Sequence, residues 1–102
     1  MNSRLHGYLG LANRARKALI GEAINKGWSK GRMYLLIIAR DASLGTQEKI
    51  EQKARHYQIA ICYVESKAEL GLALGYDEVS AIAISDRNLA NKIQEVIKEE
   101  TQ

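Results

Sequence analysis

Apolar residues recur along this chain in two patterns. Helical spacing or helix-start signals mark five segments, at residues 3–15, 22–30, 46–57, 66–74 and 86–99. Continuous apolar runs, which are typical of strands buried on both faces, occupy residues 33–39, 59–64 and 79–85, and residues 17–20 predict a fourth, very short strand. Strands and helices therefore alternate along the chain.

This alternation predicts an α/β fold, because buried strands separated by helices build a sheet that is covered on both faces. We expect a three-layer α/β/α sandwich with a small mixed, largely parallel central sheet. The 102 residues match the length of one ordinary domain, so we expect residues 1–102 to form a single domain. Cys62 lies in the middle of a predicted strand and is interpreted as a core thiol.

Local signals define where two of these helices begin or end. Asn2 or Ser3 is suited to cap the first helix. Ser66 and Glu69 form a capping box at the start of the fourth helix, and Gly75 is placed to end it in a left-handed conformation.

Composition excludes several classes of protein. The chain is 46% apolar and 26% charged, so it can bury a core. The first residues are too polar for a signal peptide, and no apolar stretch is long enough to span a bilayer, so we expect a cytoplasmic protein without membrane contact. The single cysteine forms neither an internal disulfide nor part of a metal-ligand spacing. We expect no cofactor.

Charge is unevenly divided along the chain. Residues 1–40 carry eight basic residues against the single acid Glu22, a net charge of +7, whereas residues 41–102 carry a net charge of −4. Such a split suggests that one end of the molecule meets a polyanion. The alternative is a solvated surface without a partner.

The sequence contains few arrangements of residues that are typical of active sites. His6 and His56 lie far apart in separate predicted helices, and the phosphate-binding fingerprints GxGxxG and GxxxxGK[ST] are both absent. Asp41 follows a buried strand, where α/β proteins often place their sites, but the acidic pair that a receiver-type phosphoacceptor needs is missing. We interpret Asp41 and Ser43 as turn-forming residues that bond to nearby backbone N–H groups. The sequence therefore predicts no enzymatic activity.

The predicted helix at residues 22–30 carries an unusual polar stripe. Ile24 and Trp28 lie one turn apart and form its packing face. The stripe presents a carboxylate, an amide and an ammonium group and consists of Glu22, Asn25, Lys26 and Ser29. Carboxylates and amides can read base edges, lysine neutralises phosphates, and free N–H groups at a helix start attract phosphate. The alternative is that Glu22 only complements the helix dipole and pairs with Lys26.

Four stretches of the chain resemble one known family. They are LGLANRARKALIGE, IIARDAS, VESKAELGLALG and AISDRNLANKI, of which SKAELGLALG is the most distinctive. They are similar to the YlxQ-type bacterial proteins of the ribosomal-protein L7Ae superfamily, which binds kink-turn RNA, and the resemblance covers roughly residues 9–97. It implies an α/β/α sandwich without catalytic activity. It also implies that the start of the second helix and the loop after the fourth read the sheared G·A pairs of a kink-turn.

At the residues that would read the RNA, some positions match the family and others depart from it. The pair Gly21 and Glu22 resembles the Gly-Glu pair that is usual in the YlxQ-type branch. The superfamily's pattern at the start of this helix is approximately G-x-[N/K]-[E/Q]-x-x-K. With Lys26 aligned to its lysine, Glu22 stands at the Asn/Lys position and Ala23 at the Glu/Gln position. With Gly21 aligned to its glycine, that position falls on Ile24. Residues 77 and 78 are acidic where strong RNA binders tend to be apolar.

These observations predict a small ribosomal-protein-like RNA-binding protein. We expect its partner to be structured RNA of the kink-turn type, with ribosomal RNA as one candidate, and the protein itself to be a monomer. The alternative is a protein-interaction module on the same fold that docks onto a ribosomal or transcription protein without specific RNA binding. The predicted RNA-binding residues are Arg16, Lys17, Gly21, Glu22, Asn25, Lys26, Lys30, Arg32, Tyr76, Val79 and Ser80.

Overall fold

Helices and strands alternate along residues 1–100, the part of the chain that the computed structural model describes. The helices are α1 Ser3–Arg14, α2 Glu22–Gly27, α3 Leu44–Tyr57, α4 Lys67–Leu74 and α5 Arg87–Glu100. The strands are β1 Ala18–Ile20, β2 Leu35–Ala39, β3 Ala60–Val64 and β4 Ala81–Ile84. A 3₁₀ helix, Trp28–Lys30, follows α2 directly, so the predicted helix at 22–30 is two shorter pieces. All the predicted elements form, with ends that shift by at most three residues.

The strands make one mixed sheet in the order β1-β4-β2-β3. β2 pairs with β3 in parallel, and β4 runs antiparallel to both of its neighbours, β1 and β2. The α/β class and the mixed sheet are therefore confirmed. Three of the four strands point the same way, as expected of a largely parallel sheet, but the position of β4 between β1 and β2 leaves only the β2–β3 pairing parallel.

The reversed direction of β4 follows from the short α4. The loop after α4 folds back, and the backbone N–H of Val79 donates a 3.0 Å hydrogen bond to the carbonyl of Lys67 at the start of that helix. β4 then begins at Ala81, which pairs with Ile38 near the end of β2. The chain re-enters the sheet at the end from which β3 left it, so β4 must run in the opposite direction.

Helices cover both faces of the sheet. On one face α1, α4 and α5 bury a core against Leu35 and Ile37 of β2. On the other face α2, the 3₁₀ helix and α3 bury a second core against Leu36 and Ile38. Because successive side chains of a strand point to opposite faces, a strand covered on both sides must be apolar throughout, as β2 is. The predicted three-layer sandwich is confirmed.

The helix caps agree with the sequence in most details. The side chains of Asn2 and Ser66 accept hydrogen bonds from the backbone of α1 and α4, at 2.8 and 3.1 Å. Gly75 ends α4 with φ of +84°. The capping box is not closed, because the carboxylate of Glu69 accepts a hydrogen bond from the N-terminal ammonium of Met1 instead.

Two further residues differ from their interpretation in part. The carboxylate of Asp41 accepts a 2.8 Å hydrogen bond from the backbone N–H of Lys67, so it joins β2 to α4 instead of forming a local turn. Cys62 packs against the first core and is half-buried, and this burial raises the pKa of its thiol, although the charge of Lys98 acts in the opposite direction.

Within residues 1–100, no helix is both long and apolar enough to cross a bilayer. The expected cytoplasmic location and the expected monomeric state stay predictions.

Candidate RNA-binding site

A groove of about 460 Å³ opens between α2, α3 and the loop that precedes β4. Polar side chains from all three elements line it, and we call it the α2–α3 groove. They are Glu22 and Asn25 from α2, Thr46, Lys49 and Lys53 from α3, and Tyr76, Glu78 and Ser80 from the loop. The groove therefore combines two carboxylates, two ammonium groups, an amide and hydroxyl groups in one cavity.

The floor of the groove is apolar. It consists of Ile20, Ile24, Trp28, Ile50, Val79 and Ala81. Trp28 is only 4% exposed, and its ring stacks on that of Tyr57 with 6.0 Å between the centroids. The indole N–H of Trp28 is buried without a hydrogen-bond partner within residues 1–100. The expectation that Trp28 belongs to the packing face of this helix is confirmed.

The start of α2 depends on a glycine. Gly21 has φ of +60° and ψ of −124°, a conformation that is essentially restricted to glycine. A Cβ atom at this position would meet nothing within 4 Å, so the backbone of Gly21 faces open space. A ligand can therefore approach this backbone closely.

The carboxylate of Glu22 has a partner of its own. It accepts a hydrogen bond of 3.4 Å from the side-chain amide of Asn25. Within residues 1–100, Glu22 and Lys26 form no ion pair, so this part of the alternative interpretation of Glu22 is wrong. Its carboxylate stays exposed at the edge of the groove, with lone pairs that can accept from a ligand.

The loop of residues 75–80 is held against α4 by main-chain and side-chain contacts. The backbone N–H of Tyr76 donates to the carbonyl of Gly71 at 2.9 Å. The ammonium group of Lys67 lies 3.5 Å from the carboxylate of Glu78 and compensates part of its charge. The ring of Tyr76, 57% exposed, stays at the rim of the groove.

A second cavity, of about 540 Å³, lies on the other side of α2, and we call it the basic recess. Its charged side chains are those of Lys17, Lys26, Lys30 and Arg32, and no acidic residue lines it. Leu19, Ala23, Gly27, Met33, Tyr34 and Ser85 complete its lining. Because Lys17 and Ser85 flank one end of the β1–β4 pair and Ile20 and Ala81 lie at the other, the two cavities sit at opposite ends of this pair.

The structure divides the predicted binding residues between these two cavities. The α2–α3 groove contains Gly21, Glu22, Asn25, Tyr76, Val79 and Ser80, and the basic recess contains Lys17, Lys26, Lys30 and Arg32. Arg16 lines neither cavity and occupies the turn between α1 and β1 with φ of +60°. The predicted polar stripe is therefore divided between the two cavities, because Asn25 and Lys26 are successive residues that line different ones.

Sequence reasoning missed the contribution of α3. Thr46, Lys49 and Lys53 line the groove, yet none of them was among the predicted site residues. The spacing of Lys49 and Lys53, one helical turn apart beside the buried Ile50, is the signal that places them on a common flank of α3.

Comparison with known proteins identifies the family of this fold. Residues 4–94 match the ribosomal protein L7Ae/L30e/S12e/Gadd45 family. The chain is 38% identical over 86 residues to the RNA-binding protein YlxQ of Bacillus subtilis (strain 168), covering 83% of this chain and 86% of that protein. It is 29% identical over 91 residues to the RNA-binding protein YlxQ of Enterococcus faecium, covering 88% and 87%. Both names describe binding proteins, in agreement with the prediction that the chain is not an enzyme.

A solved structure supports the same assignment. A protein of unknown function from Bacillus halodurans superposes with a TM-score of 0.89 and 33% sequence identity, over 95% of this chain and 99% of that chain. The sequence resemblance to YlxQ-type proteins of the L7Ae superfamily is confirmed.

Proposed function

The chain belongs to the ribosomal protein L7Ae/L30e/S12e/Gadd45 family, and we propose that it binds structured RNA of the kink-turn type through the α2–α3 groove. In this proposal residues 1–102 are one RNA-binding domain. The relatives named as RNA-binding proteins support the class of partner. The kink-turn is supported by the position of the groove between the start of α2 and the loop before β4, the two elements that the resemblance implies as readers of G·A pairs.

The observation that carries the proposal is the mixed charge of the groove. Glu22 has no cationic partner within residues 1–100 and would repel a phosphate, so a cavity that only binds the RNA backbone has no use for its carboxylate. A carboxylate accepts hydrogen bonds and donates none at neutral pH, whereas the exposed edges of unpaired bases carry amino and imino donors. We assign Glu22 and Asn25 to base recognition.

The lysines of α3 complete the groove. Lys49 and Lys53 lie one turn apart on the wall opposite Glu22, and neither forms an ion pair within residues 1–100. They are suited to bind the phosphates of the nucleotides whose bases enter the groove. The exposed ring of Tyr76 at the rim offers a surface on which a base can stack, and such a stack contributes about 1–3 kcal/mol.

Substitution of Glu22 tests base recognition. Glu22→Ala should cost about 1–3 kcal/mol of binding to a kink-turn RNA and little on the same RNA with its G·A pairs replaced. Glu95→Ala, which removes an exposed acid from α5 on the opposite face of the sheet, is the matched control and should change neither affinity. Tighter binding of both RNAs by Glu22→Ala would refute base reading, because it would mean that only a repulsive charge had been removed.

The Lys49→Gln/Lys53→Gln double variant tests the phosphate contacts. It should weaken both RNAs about equally and make the slope of log K against log salt concentration less steep by about two units. For the unchanged protein we expect a slope near −3 to −4, from about four phosphate contacts. A flat response between about 50 and 200 mM salt would favour the alternative, docking to a ribosomal or transcription protein by apolar burial.

A further inference from the structure

β3 lies at one edge of the sheet, and within residues 1–100 no strand pairs with its outer side. It contains neither a charged residue nor a proline, two features by which proteins prevent an edge strand from pairing. Ala60 is exposed, and residues 61–63 are half-buried. The opposite edge, β1, has only three residues and is protected by its shortness. β3 is therefore the edge of this sheet that can accept another strand.

Two residues of β3 direct their backbone groups away from the sheet. The backbone N–H of Arg40, just after β2, donates a 2.8 Å hydrogen bond to the carbonyl of Val64, so Val64 faces β2. Because successive residues of a strand direct their N–H and C=O groups to opposite sides, Ile61 and Tyr63 direct theirs outward. An antiparallel strand placed beside β3 can exchange both of its N–H···O bonds with each of these residues.

The flank of α3 beside this edge carries one anion and one cation. The carboxylate of Glu51 accepts a hydrogen bond from the hydroxyl of Tyr63, which raises the pKa of Tyr63, and the nearby charge of Arg55 acts in the opposite direction. Neither Glu51 nor Arg55 forms an ion pair within residues 1–100. Only residues 58 and 59 join α3 to β3, so the two elements are antiparallel. Arg55 therefore lies beside the start of β3, and Glu51 lies beside its end.

We propose that a second copy of this chain pairs with β3, antiparallel and about a two-fold axis at Cys62. The two copies then share one continuous eight-stranded sheet, four strands from each. In this register Ile61 lies opposite the partner's Tyr63, which is a favourable pairing of a β-branched side chain with an aromatic ring.

The charges on α3 favour a second copy over an extended segment of another protein. Because Ile61 meets the partner's Tyr63, Arg55 at the start of β3 approaches the partner's Glu51 at the end of the other β3 strand. The two-fold axis repeats this pair, so both otherwise unpaired charges of each copy are compensated. An extended segment without a helix beside it would leave Arg55 and Glu51 as they are.

The proposed interface leaves the α2–α3 groove open. Lys49 and Lys53 line the groove from one flank of α3, and Glu51 and Arg55 lie on the opposite flank. The dimer therefore does not depend on RNA binding. One strand and one helix flank bury less than about 1,200 Å², so we expect a reversible dimer with a Kd of about 10–100 µM, in place of the monomer expected from the sequence alone.

Exchange of the two charges tests the interface. The variants Glu51→Arg and Arg55→Glu each place like charges opposite each other twice, so each alone should raise the dimer Kd about tenfold or more. An equimolar mixture of the two variants restores opposite charges at both contacts, and its dimer Kd should return to within about threefold of that of the unchanged protein. Sedimentation equilibrium over about 5–500 µM protein measures each of these values.

Lys92→Glu is the matched control, because it changes the charge by as much as Arg55→Glu does. Lys92 is exposed on α5, two turns before Glu99, whose carboxylate pairs with Arg4 of α1, so it lies on the α1 flank of α5. This variant should dimerise as the unchanged protein does.

The other outcomes would overturn the proposal. An unchanged protein that stays monomeric up to about 500 µM would leave the edge of β3 to an extended segment of another protein. A dimer that neither charge reversal weakens would be formed by another surface. A loss that mixing does not repair, or an equal loss in Lys92→Glu, would mean that the substitutions act elsewhere than in the proposed charge pairs. None of these results bears on the proposed function, which RNA titration tests separately.

Discussion

Gly71 and Tyr76 are packed so closely that only glycine fits at residue 71. A Cβ atom there would lie 2.7 Å from the carbonyl oxygen of Tyr76 and 2.9 Å from the carbonyl of Asp77. Both are backbone groups, which cannot rotate away as a flexible side chain could. α4 and the loop before β4 therefore touch main chain to main chain, and this contact fixes one wall of the α2–α3 groove.

Gly71→Ala should displace this wall. We expect a loss of about 1–3 kcal/mol in the free energy of unfolding, because the added methyl group overpacks the contact. RNA binding should also weaken under conditions where the variant is fully folded, since residues 76–80 move. Urea unfolding and a binding titration measure the two effects.

Gly7→Ala is the matched control for that substitution. Gly7 lies within α1, and a Cβ atom at this position would meet nothing within 4 Å. This variant should gain about 0.5–1 kcal/mol of stability, because alanine favours a helix more than glycine does. A similar effect of the two substitutions on stability and binding would contradict the role assigned to Gly71.

Trp28 should be structural rather than a stacking surface for RNA. Trp28→Ala should lower the free energy of unfolding by about 3 kcal/mol, because it empties a buried site beneath the groove. Trp28→Phe should cost much less, since it keeps a ring against Tyr57 and removes the indole N–H that has no partner. If Trp28→Ala is as stable as the unchanged protein but no longer binds RNA, the ring is a stacking platform.

The thiol of Cys62 should react slowly in the folded protein. Burial raises its pKa, so at about pH 8 less thiolate is present than in the unfolded chain, where the pKa is ordinary. The rate of alkylation by iodoacetamide should therefore rise on denaturation. The folded protein also holds the thiol proton more tightly than the unfolded chain does. The resulting contribution to the free energy of unfolding is therefore present below the ordinary pKa of the thiol and is lost as the pH rises toward the raised value. Equal rates in the folded and denatured protein would contradict the core position of Cys62.

The fold was largely predictable, but the direction of β4 was not. A continuous apolar run such as residues 81–84 has the same composition whichever way the strand runs, so it indicates burial and not orientation. Orientation was set by α4, which is too short to carry the chain across the sheet, and by the fold-back contact at Gly71. That contact is formed only in the folded protein, so no local sequence pattern predicts it.

The sequence identified most of the elements that form the candidate site, but not the separation of its residues between two cavities. Periodicity places Glu22, Asn25 and Lys26 on one polar side of a helix, yet Asn25 and Lys26 differ by about 100° around its axis, so two cavities on either side of α2 separate them. Lys49 and Lys53 were missed for a related reason. Helical spacing identified the buried flank of α3 through Ile50, but which of its other flanks meets α2 depends on how the two helices are placed on the sheet.

The most direct test of the account is the affinity of the unchanged protein for two RNAs. One is a kink-turn with its sheared G·A pairs, and the other is the same RNA with those pairs replaced by Watson–Crick pairs, both titrated at about 150 mM salt. Base reading through the α2–α3 groove predicts that the replaced RNA binds roughly 5- to 160-fold more weakly for each G·A pair that is replaced, since each lost pair costs about 1–3 kcal/mol. Equal affinity for the two RNAs would contradict the central claim that this groove reads bases.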